Sequence, residues 1–591
     1  VLPVMLFHAG IGPFPGGYIG VDIFFVISGY LITSIIYREV VLGRYRYSHF
    51  YERRARRIFP ALYLVVFASI IPAWFFLVPQ EFVNFSETII GVVGFFSNVV
   101  LWTQTNYFNQ SGEFKPLLHT WSLAVEEQYY LFFPILLMVF YKYLRKHLLI
   151  AVAVLMCLSL AMAQWGAFNK PTANYYLLPT RAWELLIGSY TALMMVSKEW
   201  HEIDQRLHSY SGSLSFAGLV LIVVSIFFFD LHTPFPSVWA LIPTIGTALI
   251  IIFTKKGALT EKILTNRLLV GIGLISYSAY LWHQPIYAFA RQQTVWEESR
   301  TLMAMSFLLA LSGAYVSWRF IERPFRNSKT ISSRSVWVFS ITGALLLVGF
   351  SALSITQNGF DTRFALAPPL SESSFDLPKR SNGWCFYSVD TNSSLTVGDD
   401  GLSCEIGSTD ETYNILLFGD SFAGMYEPFW DIVGKEVKAK IQAVTTNWCH
   451  PSLTTSFWWK GATPAFQQCL LNRKYLEENY SRYDAVVLSA VWSQLEEEAL
   501  FDEVEDLVVR LTKNGDTKVI IMAQPQQFDR ASVYRAVYKN GHLMTDASDA
   551  LARTVNQRLA DISSTNSDVF FIDRRPMFET GRNPQDALSS D

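Results

Sequence analysis

Eleven apolar stretches follow one another across the first 356 residues, at 1–12, 19–37, 58–78, 122–141, 148–165, 178–196, 212–229, 238–253, 268–290, 301–320 and 335–356. A helix needs about 20 apolar residues to cross the hydrocarbon core of a bilayer. In lipid, every backbone N–H and C=O must also find its partner within the protein. This succession restricts the first two thirds of the chain to a bundle of membrane-spanning helices. A further apolar run, 89–102, is too short to cross and reads as re-entrant or interfacial. Composition agrees: only 16% of the residues are charged and 51% are hydrophobic, whereas a soluble domain averages about 25% charged.

Charge then orients the bundle. The basic loops lie at 38–57, 142–146, 255–267 and 319–334, the first holding seven arginines and two acids. Placing all four in the cytoplasm gives a consistent path if 89–102 does not cross. The path has ten core spans and an eleventh, 335–356, that carries everything after it to the outer face. A net charge of −3 gives no reason to expect a nucleic-acid partner.

Residues 357–383 (QNGFDTRFALAPPLSESSFDLPKRSNG) form a polar linker. Beyond it come short apolar runs at 413–418, 439–445, 483–490, 517–523 and 568–572, separated by stretches long enough for helices. Strand alternating with helix predicts a parallel, doubly wound α/β sheet. The chain thus divides into a membrane domain (1–334), an extra span (335–356), a linker and extension (357–411) and an α/β domain (412–591). It begins at Val1 within an apolar run and stops at Asp591, and both ends read as truncated.

Of five cysteines, Cys157 sits in an apolar run and is expected as a buried free thiol. Cys385, Cys404, Cys449 and Cys469 all fall in the polar C-terminal part. An even count in one domain predicts two disulfides and an oxidising compartment. Proximity favours Cys385–Cys404 and Cys449–Cys469 among the three possible connectivities.

Ionisable residues inside apolar spans are costly and mark functional sites. His8 lies in VMLFHAG, Asp22 in GYIGVDIFFVISGYL, and His119, Glu126 and Glu127 in HTWSLAVEEQYYLF; Tyr280 and His283 lie in SYSAYLWHQPIY, and Glu322 in WRFIERPFR. Each alone reads equally well as a hydrogen-bonded structural residue. Five such places in one bundle argue for chemistry, with His8 as a general base or a transient group carrier and an acid to orient it. Arg53, Arg54, Arg56 and Arg57 crowd the cytoplasmic mouth of a span. They suit either lipid phosphates or the phosphates of a nucleotide-bearing donor such as coenzyme A.

The motifs GYIGVDIFFVISGYLIT, FYERRARRIFPA, HTWSLAVEEQYYLFFP, SYSAYLWHQPI and FIERPFR resemble, in order, those of the membrane acyltransferase family 3 over about residues 1–326. The family's fold is ten membrane helices, the number reached from charge. The resemblance implies that the bundle takes an acyl group, usually acetyl, from cytoplasmic acetyl-CoA and passes it outward, with no metal. His8, Asp22, Glu127 and Glu322 would then be catalytic. Arg53, Arg54, Arg56, Arg57, His119, Tyr280 and His283 would face the donor. The family's usual arginine, eleven positions before the histidine of the first span, would precede Val1.

In the C-terminal part, ILLFGDSFAGM places Asp420 and Ser421 where a buried strand gives way to a helix. N–H groups there can stabilise an oxyanion. A serine nucleophile also needs a base, and the base an orienting group. Residues 412–591 resemble the SGNH hydrolase/acyltransferase superfamily, whose partners form Asp-x-x-His near the C-terminus. Asp591 is placed to be that aspartate, with its histidine expected beyond residue 591 and His450 and His542 as the alternative bases within the sequence. The family's oxyanion asparagine is replaced by Trp492 and Ser493 after the third run, so Trp492, Asn447 and Asn472 are the candidates.

Together these readings predict a polytopic α-helical membrane bundle followed by an SGNH-like α/β domain. The expected protein is a bacterial inner-membrane O-acetyltransferase with a periplasmic C-terminal domain. Its expected acceptor is a cell-envelope polysaccharide, lipopolysaccharide O-antigen first and peptidoglycan second. A tethered carbohydrate esterase and a non-enzymatic transport partner are the rivals.

Overall fold

The computed structural model describes residues 1–105, 112–230, 233–292, 300–364, 380–390, 392, 394–410, 412–457, 463–513, 517–525 and 550–573. The chain divides into two compact units, 1–363 and 364–591.

The first unit is helical. Among the described residues, seven helices are long and apolar enough to cross a membrane: Gly17–Val41, Tyr47–Phe76, Thr120–Tyr143, Arg145–Asn169, Glu202–Phe228, Arg300–Arg326 and Ser333–Thr356. Leu241–Phe253 is apolar but shorter, and Leu2–His8 has only seven residues. Leu178–Met195 and Arg267–Arg291 are helices too, made more polar by Arg181 and Glu184 in one and by His283 and Gln284 in the other. The 89–102 run is not one helix. Pro79–Val93 and Ser97–Thr103 are separated by a turn in which Phe95 has φ of 56°.

Helices Gly20–Val41 and Leu178–Met195 lie against each other because glycine sits where their backbones meet. A Cβ on Gly29 would stand 1.9 Å from the Leu185 carbonyl oxygen, and one on Gly188 2.0 Å from that of Val26. Small residues at such a crossing let membrane helices approach closely, and Thr33 adds a 2.7 Å hydrogen bond to Ser189. This contact carries Asp22 onto Arg181. Leu2–His8 is held on Arg267–Arg291 by a cluster of Met5, Ala9, Ala279, Tyr287 and Ala290, which carries His8 onto His283. Cys157, expected inside, is exposed on Leu148–Asn169. That helix is apolar all round, so its sequence does not reveal which face turns outward.

The second unit holds a six-stranded sheet in the order β1-β3-β2-β4-β5-β6. The strands are β1 (Cys404–Gly407), β2 (Tyr413–Gly419), β3 (Ala439–Thr445), β4 (Ala485–Ser489), β5 (Lys518–Met522) and β6 (Val569–Ile572). β2 to β6 are parallel and match the five runs of the sequence; β1 is an antiparallel edge on β3. Alternate residues of β2 serve opposite faces. Leu416 and Phe418 join Val486, Leu488 and the helices Pro464–Asn479 and Phe501–Thr512. Ile415 and Leu417 join Ile441, Val487 and Trp430 of Glu427–Val437. Each fully buried side chain of this kind contributes about 1.5–3 kcal/mol. Cys385–Cys404 and Cys449–Cys469 are the disulfides, as proximity predicted.

Candidate active sites

In the helical unit, three histidines converge. His8 Nδ1 lies 3.1 Å from His283 Nε2, and His283 Nδ1 lies 2.6 Å from the Tyr280 carbonyl oxygen. The His119 ring sits edge-on to Tyr280 and His283, with centroids 5.5 and 5.6 Å away. The Tyr280 hydroxyl donates to the His119 carbonyl at 3.0 Å and meets Ser122 Oγ at 2.6 Å. A cavity of about 30 Å³ is lined here by His8, His119, Tyr18, Tyr280 and Gln284, room for a water molecule. His119 is buried, and neither of its ring nitrogens has a hydrogen-bond partner among the described residues. Arg291 donates to the His8 carbonyl and pairs with Glu113 at 3.4 Å.

Asp22 is not held by this group. Its carboxylate pairs with Arg181 at 3.2 Å, and Arg181 pairs with Glu184 at 2.8 Å, the three side chains being 0–1% exposed. The guanidinium also stands 5.1 Å from the Trp121 ring centroid and 5.7 Å from that of Tyr175, two residues that line the histidine cavity. Arg181 and Glu184 were missed in the sequence. The signal was present, because both interrupt the apolar run 178–196 as Asp22 interrupts its own.

A second polar group lies along helix Thr120–Tyr143. Ser122, Glu126 and Tyr130 follow His119 at spacings of three, seven and eleven, on one helix face, so the stripe runs about 16 Å at 1.5 Å per residue. Glu126 accepts from Ser28 and Tyr130. Arg54 pairs with Glu127 at 3.5 Å and lies 4.0 Å from the centre of the Tyr130 ring. The four arginines do not act alike. Arg56 is committed to Glu52 at 2.8 Å and to the Ile331 carbonyl at 2.7 Å. Arg53 pairs with Glu39 at the surface. Arg57 is exposed and has no hydrogen bond or ion pair among the described residues. Glu322 is buried on Ser278 and Arg326, at 2.7 and 2.5 Å.

In the sheet unit, Ser421 opens helix Ser421–Met425 at the carboxyl end of β2. β2 lies between β3 and β4, where the winding direction reverses and open α/β sheets bind ligands. Gly419 has φ of 153°, and a Cβ there would stand 1.8 Å from the Ser489 carbonyl oxygen, so the turn accepts only glycine. Asp420 takes the backbone N–H groups of Phe422 at 2.8 Å and Val491 at 2.9 Å. Burial pushes its pKa up to about 7. The Ser421 hydroxyl has no hydrogen-bond partner among the described residues.

After β4 three backbone N–H groups are committed, while the buried hydroxyl of Ser489, the last residue of β4, has no hydrogen-bond partner among the described residues. Val491 N–H is taken by Asp420, Trp492 N–H by the Ala490 carbonyl and Ser493 N–H by Gln524. The Trp492 indole is buried and donates to the Met522 carbonyl at 2.9 Å. Asn472 lies within helix Pro464–Asn479 and accepts from Gln468. The Asn472 amide nitrogen has no partner among the described residues, nor has either polar atom of the buried Asn447 amide, which follows β3 beside the end of β2. His450 packs with Glu503 at 3.3 Å and Arg473 at 3.2 Å. Burial and Arg473 lower its pKa to about 4. Asp591 and His542 lie outside the described residues.

Comparison with known proteins accords with both halves. The acyltransferase domain profile matches residues 2–319, and that of the SGNH domain fused to AT3 domains matches 385–586. The peptidoglycan O-acetyltransferase OatA of Listeria monocytogenes (serovar 1/2a, strain ATCC BAA-679 / EGD-e) is 31% identical over 354 residues, 56% of this chain and 55% of that protein. A Bacillus subtilis (strain 168) protein, provisionally named peptidoglycan O-acetyltransferase YrhL, is 30% identical over 357 residues, 58% of this chain and 56% of its own length. A Staphylococcus aureus (strain MRSA252) protein, provisionally named an O-acetyltransferase, is 31% identical over 357 residues, 57% and 58% of the two chains. The chain thus spans about half the length of these relatives. No solved structure matches.

Proposed function

Since the chain belongs to the acyltransferase family and carries the SGNH domain found fused to it, we propose that it is a membrane O-acetyltransferase of the cell envelope. In this reading the bundle has ten core spans and a linking eleventh, in the inner membrane, with the sheet unit in the periplasm. Acetyl-CoA is the donor substrate. Arg57 and Arg53 meet its phosphates from the cytoplasm, with Arg54, Glu127 and Glu322 beside them. His8 receives the acetyl in the cavity lined by His119 and Tyr280.

Ser421 then takes the acetyl as an ester and gives it to a sugar hydroxyl. The Ser421 N–H and the Asn447 amide hold the oxyanion, and Asp591 orients the base. One observation carries this second step: a serine hydroxyl and a buried amide, both without partners among the described residues, sit at neighbouring strand ends, at the sheet's switch point. A buried unsatisfied amide is costly, by about 1–3 kcal/mol, and such strain is retained where it has a use.

The acceptor is a cell-envelope polysaccharide. The names of the relatives favour peptidoglycan, while O-antigen rests on resemblance alone. The test is the O-acetyl content, by NMR, of purified lipopolysaccharide and peptidoglycan from cells making the protein, its Ser421→Ala variant, or neither. Acetyl gained on one polymer and lost with Ser421→Ala is the expected result and identifies the acceptor. Acetyl lost on expression makes the protein an esterase, and unchanged acetylation with Ser421→Ala removes Ser421 as the nucleophile.

A further inference from the structure

Resting on the reading of His8 as the acetyl carrier, we propose that His283 is a positioning residue that fixes His8 in its Nδ1–H tautomer and frees the His8 Nε2 lone pair for the acyl carbon. The Tyr280 carbonyl can only accept a hydrogen bond. His283 Nδ1, 2.6 Å from it, must therefore carry a proton. In a neutral imidazole the other nitrogen is then an acceptor, so His283 Nε2 presents a lone pair. His8 Nδ1 lies 3.1 Å from that lone pair and must be the donor. The proton of His8 is thereby placed on Nδ1, and its Nε2 is left unprotonated.

The ring geometry agrees. The two imidazole planes are within 9° of parallel, with centroids 5.3 Å apart. That separation nearly equals the nitrogen–nitrogen distance plus the two ring radii. The rings thus meet edge to edge along a line through both nitrogens, the arrangement of a linear N–H···N bond rather than of stacked faces. His8 Nε2 has no hydrogen-bond partner among the described residues, and His8 lines the cavity. The chain carbonyl → His283 → His8 does for an imidazole nucleophile what a carboxylate does for the histidine of a serine-hydrolase triad.

The step balances. The Nε2 lone pair forms the N–C bond, and the C–S bond breaks with its electron pair leaving as thiolate. The acyl-imidazolium passes its Nδ1 proton to His283 Nε2, leaving a neutral acyl-imidazole beside an imidazolium. When an acceptor oxygen attacks the acyl carbon, His283 returns that proton to Nδ1 and the N–C pair returns to Nε2. The hydroxyl proton released equals the one the thiolate takes up.

The test uses full-length protein with ¹⁵N-labelled histidine in bilayers, and transfer from acetyl-CoA. In the wild type, His8 is expected to show a protonated Nδ1, a pyridine-type Nε2 and coupling through the hydrogen bond to His283 Nε2. His283→Ala should mix the tautomers and slow transfer by about 10²–10⁴-fold. His283→Gln, whose amide oxygen can accept from Nδ1, should recover about tenfold of that loss and restore the tautomer, which a merely structural role would not do. A wild-type His8 protonated at Nε2 overturns the proposal, as does a His283→Ala variant at full rate while His8→Ala is inactive. His8→Ala at full rate instead overturns the carrier reading itself.

Discussion

Asp420 accepts the backbone N–H of Val491 at 2.9 Å, and this one bond ties the exit of β2 to the exit of β4. The same carboxylate caps the helix that begins at Ser421 through Phe422 N–H. Its two oxygens thus set both the position of the serine and the direction in which its hydroxyl emerges. An amide offers one acceptor where the carboxylate offers two. Asp420→Asn is expected to strand one buried N–H, at a cost of about 1–3 kcal/mol. Thermal unfolding of the full-length protein should show the sheet unit melting several degrees lower, with acetyl transfer reduced. An unchanged melting point would show that the bridge contributes nothing.

The pH dependence of this unit has a predictable sign. Glu427 accepts from Cys385 N–H, Phe386 N–H and the Thr445 hydroxyl, and burial pushes its pKa up to about 8. Asp420 is raised to about 7. A raised carboxyl binds more protons folded than unfolded, so its stabilisation is complete below the unfolded pKa and is lost as pH rises through the folded one. His450, lowered to about 4, works the other way, and its contribution is complete above about pH 6.5. Between pH 6.5 and 8.5 the sheet unit should therefore lose stability. Glu427→Gln keeps an oxygen for the two N–H groups and should flatten the slope in melting curves taken across that window.

Arg181 is expected to be indispensable to the bundle, because its removal leaves Asp22 and Glu184 buried without a counter-charge. Breaking such a group costs about 3–5 kcal/mol. Arg181→Met should sharply lower the yield of monodisperse, detergent-solubilised protein. Adding Asp22→Asn and Glu184→Gln to that variant should recover most of the loss. A single Arg181→Met variant of normal yield would contradict the ion-triad account.

The sequence made legible what a continuous apolar run determines. β2 to β6 stand where the runs stood, most plainly β2 and β4, which are buried on both faces and leave little alternation to confuse. β1 was not legible, being an edge strand whose Glu405 is exposed and whose other residues are only partly buried. The individual uses of the arginines were not legible either. Four neighbouring guanidiniums look alike in sequence, but only the fold brings the Ile331 carbonyl to Arg56 and leaves Arg57 without an ion pair among the described residues. The candidate oxyanion donors proposed for Ser421 illustrate the same limit. The sequence offered Trp492, Asn472 and Asn447 as equals; the fold commits the Trp492 indole to the Met522 carbonyl and places Asn472 within helix Pro464–Asn479, its oxygen on Gln468.

The most direct test of a two-site relay from the arginine face to Ser421 is the destination of labelled acetyl. Full-length protein in proteoliposomes would be given isotopically labelled acetyl-CoA on the side bearing Arg53 and Arg57, quenched, and analysed by peptide mass spectrometry. The account predicts labelled acetyl on Ser421 in the wild type and none there in His8→Ala. Label on Ser421 in the His8→Ala protein, or acetylated glycan formed with Ser421 never labelled, would contradict it.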